Sequence, residues 1–142
     1  MRNLIASRRR LRERLSVTAD TTAVAAGLGP ADRAYVERVR DAIRQGFADP
    51  DFGVGELADA VSQDRSHMSR RVKQLVGETP SELIRRARLE AGERLLVEGS
   101  ATVSEVAYAV GFNSLSYFCA CFQQTYGVTP AAYRNRVSTS SR

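Results

Sequence analysis

From Pro30 onward, apolar residues recur three to four positions apart, the spacing that lines one face of an α-helix. A first helix is predicted over about Asp32 to Phe47, with Val36, Val39, Ile43 and Phe47 sharing a face. Asp49-Pro50-Asp51 breaks it. A short helix (Val54 to Val61) and a second (Arg65 to Val76) follow, and Gly77 stops the latter. Thr79-Pro80-Ser81-Glu82 then supplies an N-cap, a proline at the first helical position and a glutamate three residues after the cap. The long helix that begins there reaches about Val97, with Leu83, Ala87, Ala91 and Leu95 expected to face inward and Gly99 to end it. Ahead of Pro30 the signal is weaker. Residues 1–15 read as a short helical stub carrying Leu4, Leu11 and Leu15, of a length that is marginal alone. Residues 16–30 read as a flexible linker, and residues 137–142 as a disordered tail.

The pattern repeats. Val54-Gly55-Glu56-Leu57-Ala58-Asp59-Ala60-Val61 lines up with Val103-Ser104-Glu105-Val106-Ala107-Tyr108-Ala109-Val110 at an offset of 49. After one extra residue the match resumes at 50: Met68 with Phe118, Val72 with Phe122, Gly77 with Gly127, Thr79-Pro80 with Thr129-Pro130. Two copies are too few for a solenoid. The expected fold class is all-α, with two helix-turn-helix subdomains over residues 31–136 joined by the long linking helix.

Each copy offers what a helix-turn-helix needs. Ala58 or Ala107 in mid-helix lets two helices cross closely, and Asp64 or Asn113 stands where the second helix requires a cap. The second helix of copy one buries Met68, Val72, Leu75 and Val76, which leaves Ser66, Ser69, Arg70 and Lys73 on its other face. Hydrogen-bonding side chains on an exposed second helix suit major-groove reading. Plain helix packing is the competing explanation; the second copy, the matched caps and the basic second helix weigh against it.

Charge sharpens this. The net charge is +5, the pI is near 9.8, and 20 of the 21 basic residues are arginine. Residues 1–15 hold six arginines, residues 31–64 are net −4, and residues 65–95 are net +4. The excess falls on the first recognition helix and the linking helix, which favours a polyanionic partner. No run of 18 apolar residues is present, so no membrane-spanning helix is expected. The start has no apolar stretch of a secretory signal, and a cytoplasmic location is expected. Cys119, Cys121 and the single His67 are too few for a four-ligand zinc site, and no cofactor is expected.

The stretches VGELADAVSQDRSHMSRRVKQLVGETPSELIRRARLEAGERLL and TVSEVAYAVGFNSLSYFCACFQQTYGVTPAAYRNR resemble the DNA-binding domain of AraC/XylS-type bacterial transcription regulators. The second holds most of that family's signature: Ala107, Gly111-Phe112, Tyr117-Phe118, Phe122, Gly127, Thr129-Pro130 and Tyr133-Arg134. The resemblance implies about seven helices, with two recognition helices offered to one face of double-stranded DNA. Carried over by position, it makes Ser66, Ser69, Arg70, Ser116, Tyr117 and Ala120 base-facing, and His67, Lys73, Asn113 and Ser114 phosphate candidates. Ala120, Gln123 and Gln124 depart from the family, which often has basic residues there, so the first unit is expected to dominate affinity. The N-terminal stretch is similar to the segment that follows a receiver domain in fused regulators, implying a sensory or receiver domain absent from this chain; RNA polymerase is a separate expected partner.

Two other classes compete. A protein-interaction or membrane-surface module could use the basic N-terminal helix, but only one of the two signals that stable anchoring needs is visible, so no membrane partner is expected. An enzyme is disfavoured. DNA-repair methyl acceptors share a related helical module but carry a four-cysteine metal site that this chain lacks, and no nucleophile–base pair or phosphate-binding glycine loop is present. Arg85, Arg86 and Arg88 on the linking helix are expected to be solvated or engaged within the protein, with contact to backbone phosphate as the lesser alternative.

Overall fold

The computed structural model describes the backbone of residues 28–140 and the side chains through residue 137. The N-terminal stub 1–15, the linker up to residue 27 and the last two residues of the expected tail lie outside the described residues. Seven α-helices and no strands occur among the described residues: α1 Pro30–Gly46, α2 Val54–Ala60, α3 Arg65–Val76, α4 Pro80–Glu98, α5 Val103–Ala109, α6 Leu115–Tyr126 and α7 Pro130–Ser140. Helix α1 starts at Pro30, earlier than the apolar periodicity suggests, because proline is preorganised for the first helical position and has no N–H to leave unpaired. Helix α7 continues past Arg136 to Ser140, beyond the expected domain end.

Two cores form, one per unit. Tyr35, Val39 and Ile43 of α1 pack on Leu57, Ala58, Val61, Met68 and Val72, with Leu83 and Ile84 from the start of α4. Leu89, Ala91 and Leu96, further along α4, pack with Val106, Ala107, Val110, Phe112, Phe118, Phe122, Tyr126 and Tyr133. Helix α4 therefore serves two cores on different sides. That corrects the expected single stripe: Leu83 and Ala91 are buried, but Ala87 and Leu95 are only partly covered, while Ile84, Leu89, Gly92 and Leu96 go inside. A one-face pattern fails when a helix is covered by two neighbours in succession. At Gly92 a Cβ would stand 3.0 Å from Phe118 Cε1, so the glycine permits α4 and α6 to meet closely.

The repeat holds in three dimensions. Helices α2 and α5 are offset by 49 residues, α3 and α6 by 50, and Pro80 and Pro130 open the helices after each unit. Both turns use left-handed backbone, at Ser62 (φ 59°) and at Gly111 (φ 98°). Gln63 N–H donates to Ala58 O and Phe112 N–H to Ala107 O, both at 3.0 Å, so the two turns superpose through residues 63 and 112. The cap then differs from expectation. Asp64 Oδ1 accepts from His67 N–H at 2.9 Å, but in the second unit Ser114, not Asn113, is the N-cap and accepts from Tyr117 N–H at 3.0 Å. Asn113 is the extra residue between turn and helix.

Candidate nucleic-acid interface

Each recognition helix hides one side and shows the other. On α3, Met68 and Val72 are buried. Successive residues turn about 100°, so Ser66, Arg70 and Lys73 point away from that core, and all three are exposed. Ser69 and His67 sit on opposite flanks; Ser69 is half-buried and His67 exposed. On α6 the buried set is Phe118, Cys121, Phe122 and Tyr126. Its outward residues are Ser116, Ala120 and Gln123, with Tyr117 and Cys119 on the flanks.

By the 50-residue offset, Ser66 corresponds to Ser116, Arg70 to Ala120 and Lys73 to Gln123, all on the outward faces. His67 corresponds to Tyr117, and Ser69 to Cys119. The base-facing set carried over from the family thus mixes two outward residues with one flank residue in each unit: Ser69 on one side in the first, Tyr117 on the other in the second. Gln123, paired with Lys73 by the offset, shares the outward face with Ser116 and Ala120 and is a further residue on it. Its amide carries the donor and acceptor that suit bidentate pairing with adenine.

The flank that carries Tyr117 faces the first unit. Its ring meets Phe112 edge-on, with centroids 5.7 Å apart. With Phe52, Gly53, Val54, Ser81, Ile84, Arg85 and Arg88 it lines a cleft of about 110 Å³ between the units. Asn113 is exposed and Ser114 half-buried at the mouth of α6, where backbone N–H groups also point outward.

Several cations have structural partners. Arg71 pairs with Asp32 at 3.0 Å and lies 4.0 Å above the Tyr35 ring. Burial raises the Tyr35 pKa, against the opposing pull of Arg71 and then Arg38. Arg86 pairs with Glu78. Lys73 Nζ donates to Gly77 O at 3.2 Å, across the C-terminal end of its own helix. Arg88 donates to three main-chain carbonyls, and burial lowers its pKa, with Asp49 and then Tyr117 acting the other way. Arg70 is exposed and makes no ion pair or hydrogen bond among the described residues. The first unit therefore shows an open guanidinium where the second shows a methyl group. No group of three or more potential metal ligands occurs among the described residues, and no described helix is long and apolar enough to cross a membrane.

A family described as a helix-turn-helix domain matches residues 57–136. A putative AraC-like transcription regulator from Streptomyces antibioticus is 34% identical over 120 residues, covering 72% of this chain and 40% of that protein. The solved C-terminal domain of AraT, a response regulator from Geobacillus stearothermophilus, is 28% identical with a TM-score of 0.69, covering 78% of this chain and 88% of that one. The DNA-binding domain of AdpA, a global transcriptional factor solved with a target DNA, is 29% identical with a TM-score of 0.68, covering 75% of this chain and 94% of that one. The chain spans between 10% and 40% of the length of the first curated relatives it matches. Twin capped units on one linking helix, matched in sequence and in space, establish that the chain belongs to the AraC-type family of helix-turn-helix DNA-binding domains.

Proposed function

We propose that this protein is a sequence-specific double-stranded DNA-binding transcription regulator in which α3 and α6 read adjacent major-groove segments without catalysis. The observation that carries the reading is the pair of exposed outward faces, Ser66/Arg70/Lys73 on α3 and Ser116/Ala120/Gln123 on α6, in corresponding positions of two units joined by α4. Arg70 is the principal base reader, suited to bidentate contact with guanine. Ser66, Ser69 and Ser116 donate or accept at base edges, Tyr117 approaches from the cleft side, and Ala120 offers a methyl to thymine. His67, Lys73, Asn113 and Ser114 hold phosphate. Lys73 must leave Gly77 O to do so, which makes it the weaker holder.

The protein works in the cytoplasm as the output module of a longer regulator, with a sensory or receiver domain and RNA polymerase as partners. The AraT response-regulator domain supports a receiver partner. Fluorescence anisotropy with an operator selected from random duplexes, at two salt concentrations, tests the reading. Salt-sensitive binding that still prefers the operator over random DNA supports it. Equal affinity for all duplexes, or binding to anionic vesicles in preference to DNA, overturns it.

A further inference from the structure

We infer that Arg88, together with Gly111, locks the two helix-turn-helix units at a fixed separation, so that this protein measures the distance between two half-sites as well as reading each one. The inference rests on the DNA-binding reading above and assigns the part of the molecule that sets its spacing.

Helix α4 is the continuous connection between the units, and a single helix can bend. A second connection runs beside it. Arg88 stands on α4 between the residues that serve the first core, Leu83 and Ile84, and those that serve the second, Leu89 to Leu96. Its Nε donates to Phe47 O at 2.8 Å. Its Nη2 donates to Asp49 O at 3.0 Å and Phe52 O at 2.8 Å. These carbonyls belong to the C-terminal end of α1 and the loop before α2, so one planar cation ties the first unit to the middle of α4. A guanidinium suits this work because its donors are fixed in a fork, whereas a lysine ammonium offers no such geometry.

The second unit closes on the same point. At Gly111, in the turn before α6, a Cβ would lie 2.3 Å from Phe47 O and 2.8 Å from Arg88 Nε. The turn thus abuts both the carbonyl and the guanidinium that grips it. The Phe47 side chain packs against both cores. Three bodies therefore meet at Phe47: α4 through Arg88, the first unit through its own backbone, and the second unit through Gly111. Rocking one unit against the other would open three hydrogen bonds, two of them to half-buried carbonyls, Phe47 O and Phe52 O, and one to the exposed Asp49 O. The position of Gly111 demands glycine twice over, by its φ of 98° and by this contact.

The consequence on DNA is geometric. Adding one base pair between half-sites rotates one against the other by about 35° and moves it by about 3.4 Å. A hinged pair of units follows such a change, and a locked pair does not.

The test takes the selected operator and two derivatives with one base pair added or removed between half-sites. The wild-type chain is expected to lose about tenfold in affinity on either derivative, the cost of a mismatched base pair at the low end. Arg88→Met, which keeps length but not donors, is expected to reduce that ratio to threefold or less. Arg88→Lys should fall between them and stands in if the methionine variant does not fold by circular dichroism. A ratio unchanged in a variant that is merely less thermostable overturns the proposal, because then Arg88 contributes only stability. A second measurement needs no DNA. Spin labels at Gln74→Cys and Gln124→Cys, in a Cys119→Ser, Cys121→Ser background, report the distance between recognition helices. Arg88→Met is expected to broaden that distribution, and an unchanged width overturns the lock. If no operator is selected, the DNA reading fails and the distance measurement alone decides the lock.

Discussion

The two units share a plan and differ in nearly every material used to build it. The first has an aliphatic core around Leu57, Met68 and Val72, sealed by Tyr35, whose hydroxyl donates to Gln63 Oε1 and whose ring carries Arg71. The second is aromatic: Phe112, Phe118, Phe122, Tyr126 and Tyr133 stack in succession with centroid distances of 4.4 to 6.3 Å. Tyr133 also donates from its hydroxyl to buried Glu93, tying α7 to α4. On the outside the contrast inverts. Helix α3 carries Arg65, Arg70, Arg71 and Lys73, and α6 has no lysine or arginine. The comparison teaches that capping, turn geometry and two buried positions per helix suffice to repeat the motif, while core chemistry and reading chemistry vary independently.

The largest test of that contrast is in the cores. Phe122 is fully buried and touches three other rings, those of Phe118, Tyr126 and Tyr133, so Phe122→Ala should cost about 3–5 kcal/mol, and Met68→Ala about 2–5 kcal/mol. Urea melts followed by circular dichroism check this. A loss under 1 kcal/mol at Phe122 would show that the aromatic core can collapse around the gap.

Next comes the outward faces. Arg70→Ala should cost about 1–3 kcal/mol on the operator and relax base preference at its contact. Ser116→Ala should cost less. Ala120→Arg should tighten binding mostly without regard to sequence, because it adds a phosphate-seeking charge. Lys73→Ala should weaken all duplexes alike and reduce the salt slope by about one. Anisotropy titrations of these variants at several salt concentrations settle the ranking. Equal losses from Arg70→Ala and Ser116→Ala would erase the asymmetry.

Caps give a smaller and sharper effect. Asp64→Ala and Ser114→Ala should each lower stability by about 1 kcal/mol, while Asn113→Ala should stay within about 0.5 kcal/mol. A thermal melt in which Asn113→Ala costs as much as Ser114→Ala would return the cap to Asn113.

Smallest is an effect of pH at the start of α4. Glu82 Oε1 accepts from Thr79 N–H at 2.9 Å, and chiefly for that reason its pKa is lowered from 4.5. A carboxylate with a depressed folded pKa contributes stability that is present above its unfolded value and lost as pH falls through the folded one. Glu82 is exposed, so solvent keeps the contribution small. Melting temperatures of wild type and Glu82→Gln should differ at neutral pH and converge in acid. A constant difference would mean that the carboxylate charge plays no part.

Most of the architecture was legible because it rests on local chemistry. Thr79-Pro80 and Glu82 announce α4 through a capping box that forms as expected, and the repeat gave both units. The one misplaced cap, Asn113 for Ser114, came from an insertion whose position the flanking matches leave open by one residue. Both residues can cap, and only the paired Gln63 and Phe112 hydrogen bonds show which is extra. The inward face of α4 was misjudged at Ala87 and Leu95 because periodicity assumes one neighbour. The role of Arg88 was illegible for a different reason. Its three acceptors are backbone carbonyls, 36 to 41 residues earlier, and a carbonyl is present whatever residue bears it.

The unlike charge of α3 and α6 has a directional consequence. Two identical readers related by a twofold axis bind a palindrome equally well in either sense. Here a cationic reader and a neutral one are fixed in order along a single chain, like the two ends of a key. If both helices read bases as proposed, a DNA site that satisfies both has a left and a right, and reversing it would present Arg70 to the bases that suit Ala120. On the DNA-binding reading proposed above, the sense in which a site is bound is thereby set by the order of two helices within this chain.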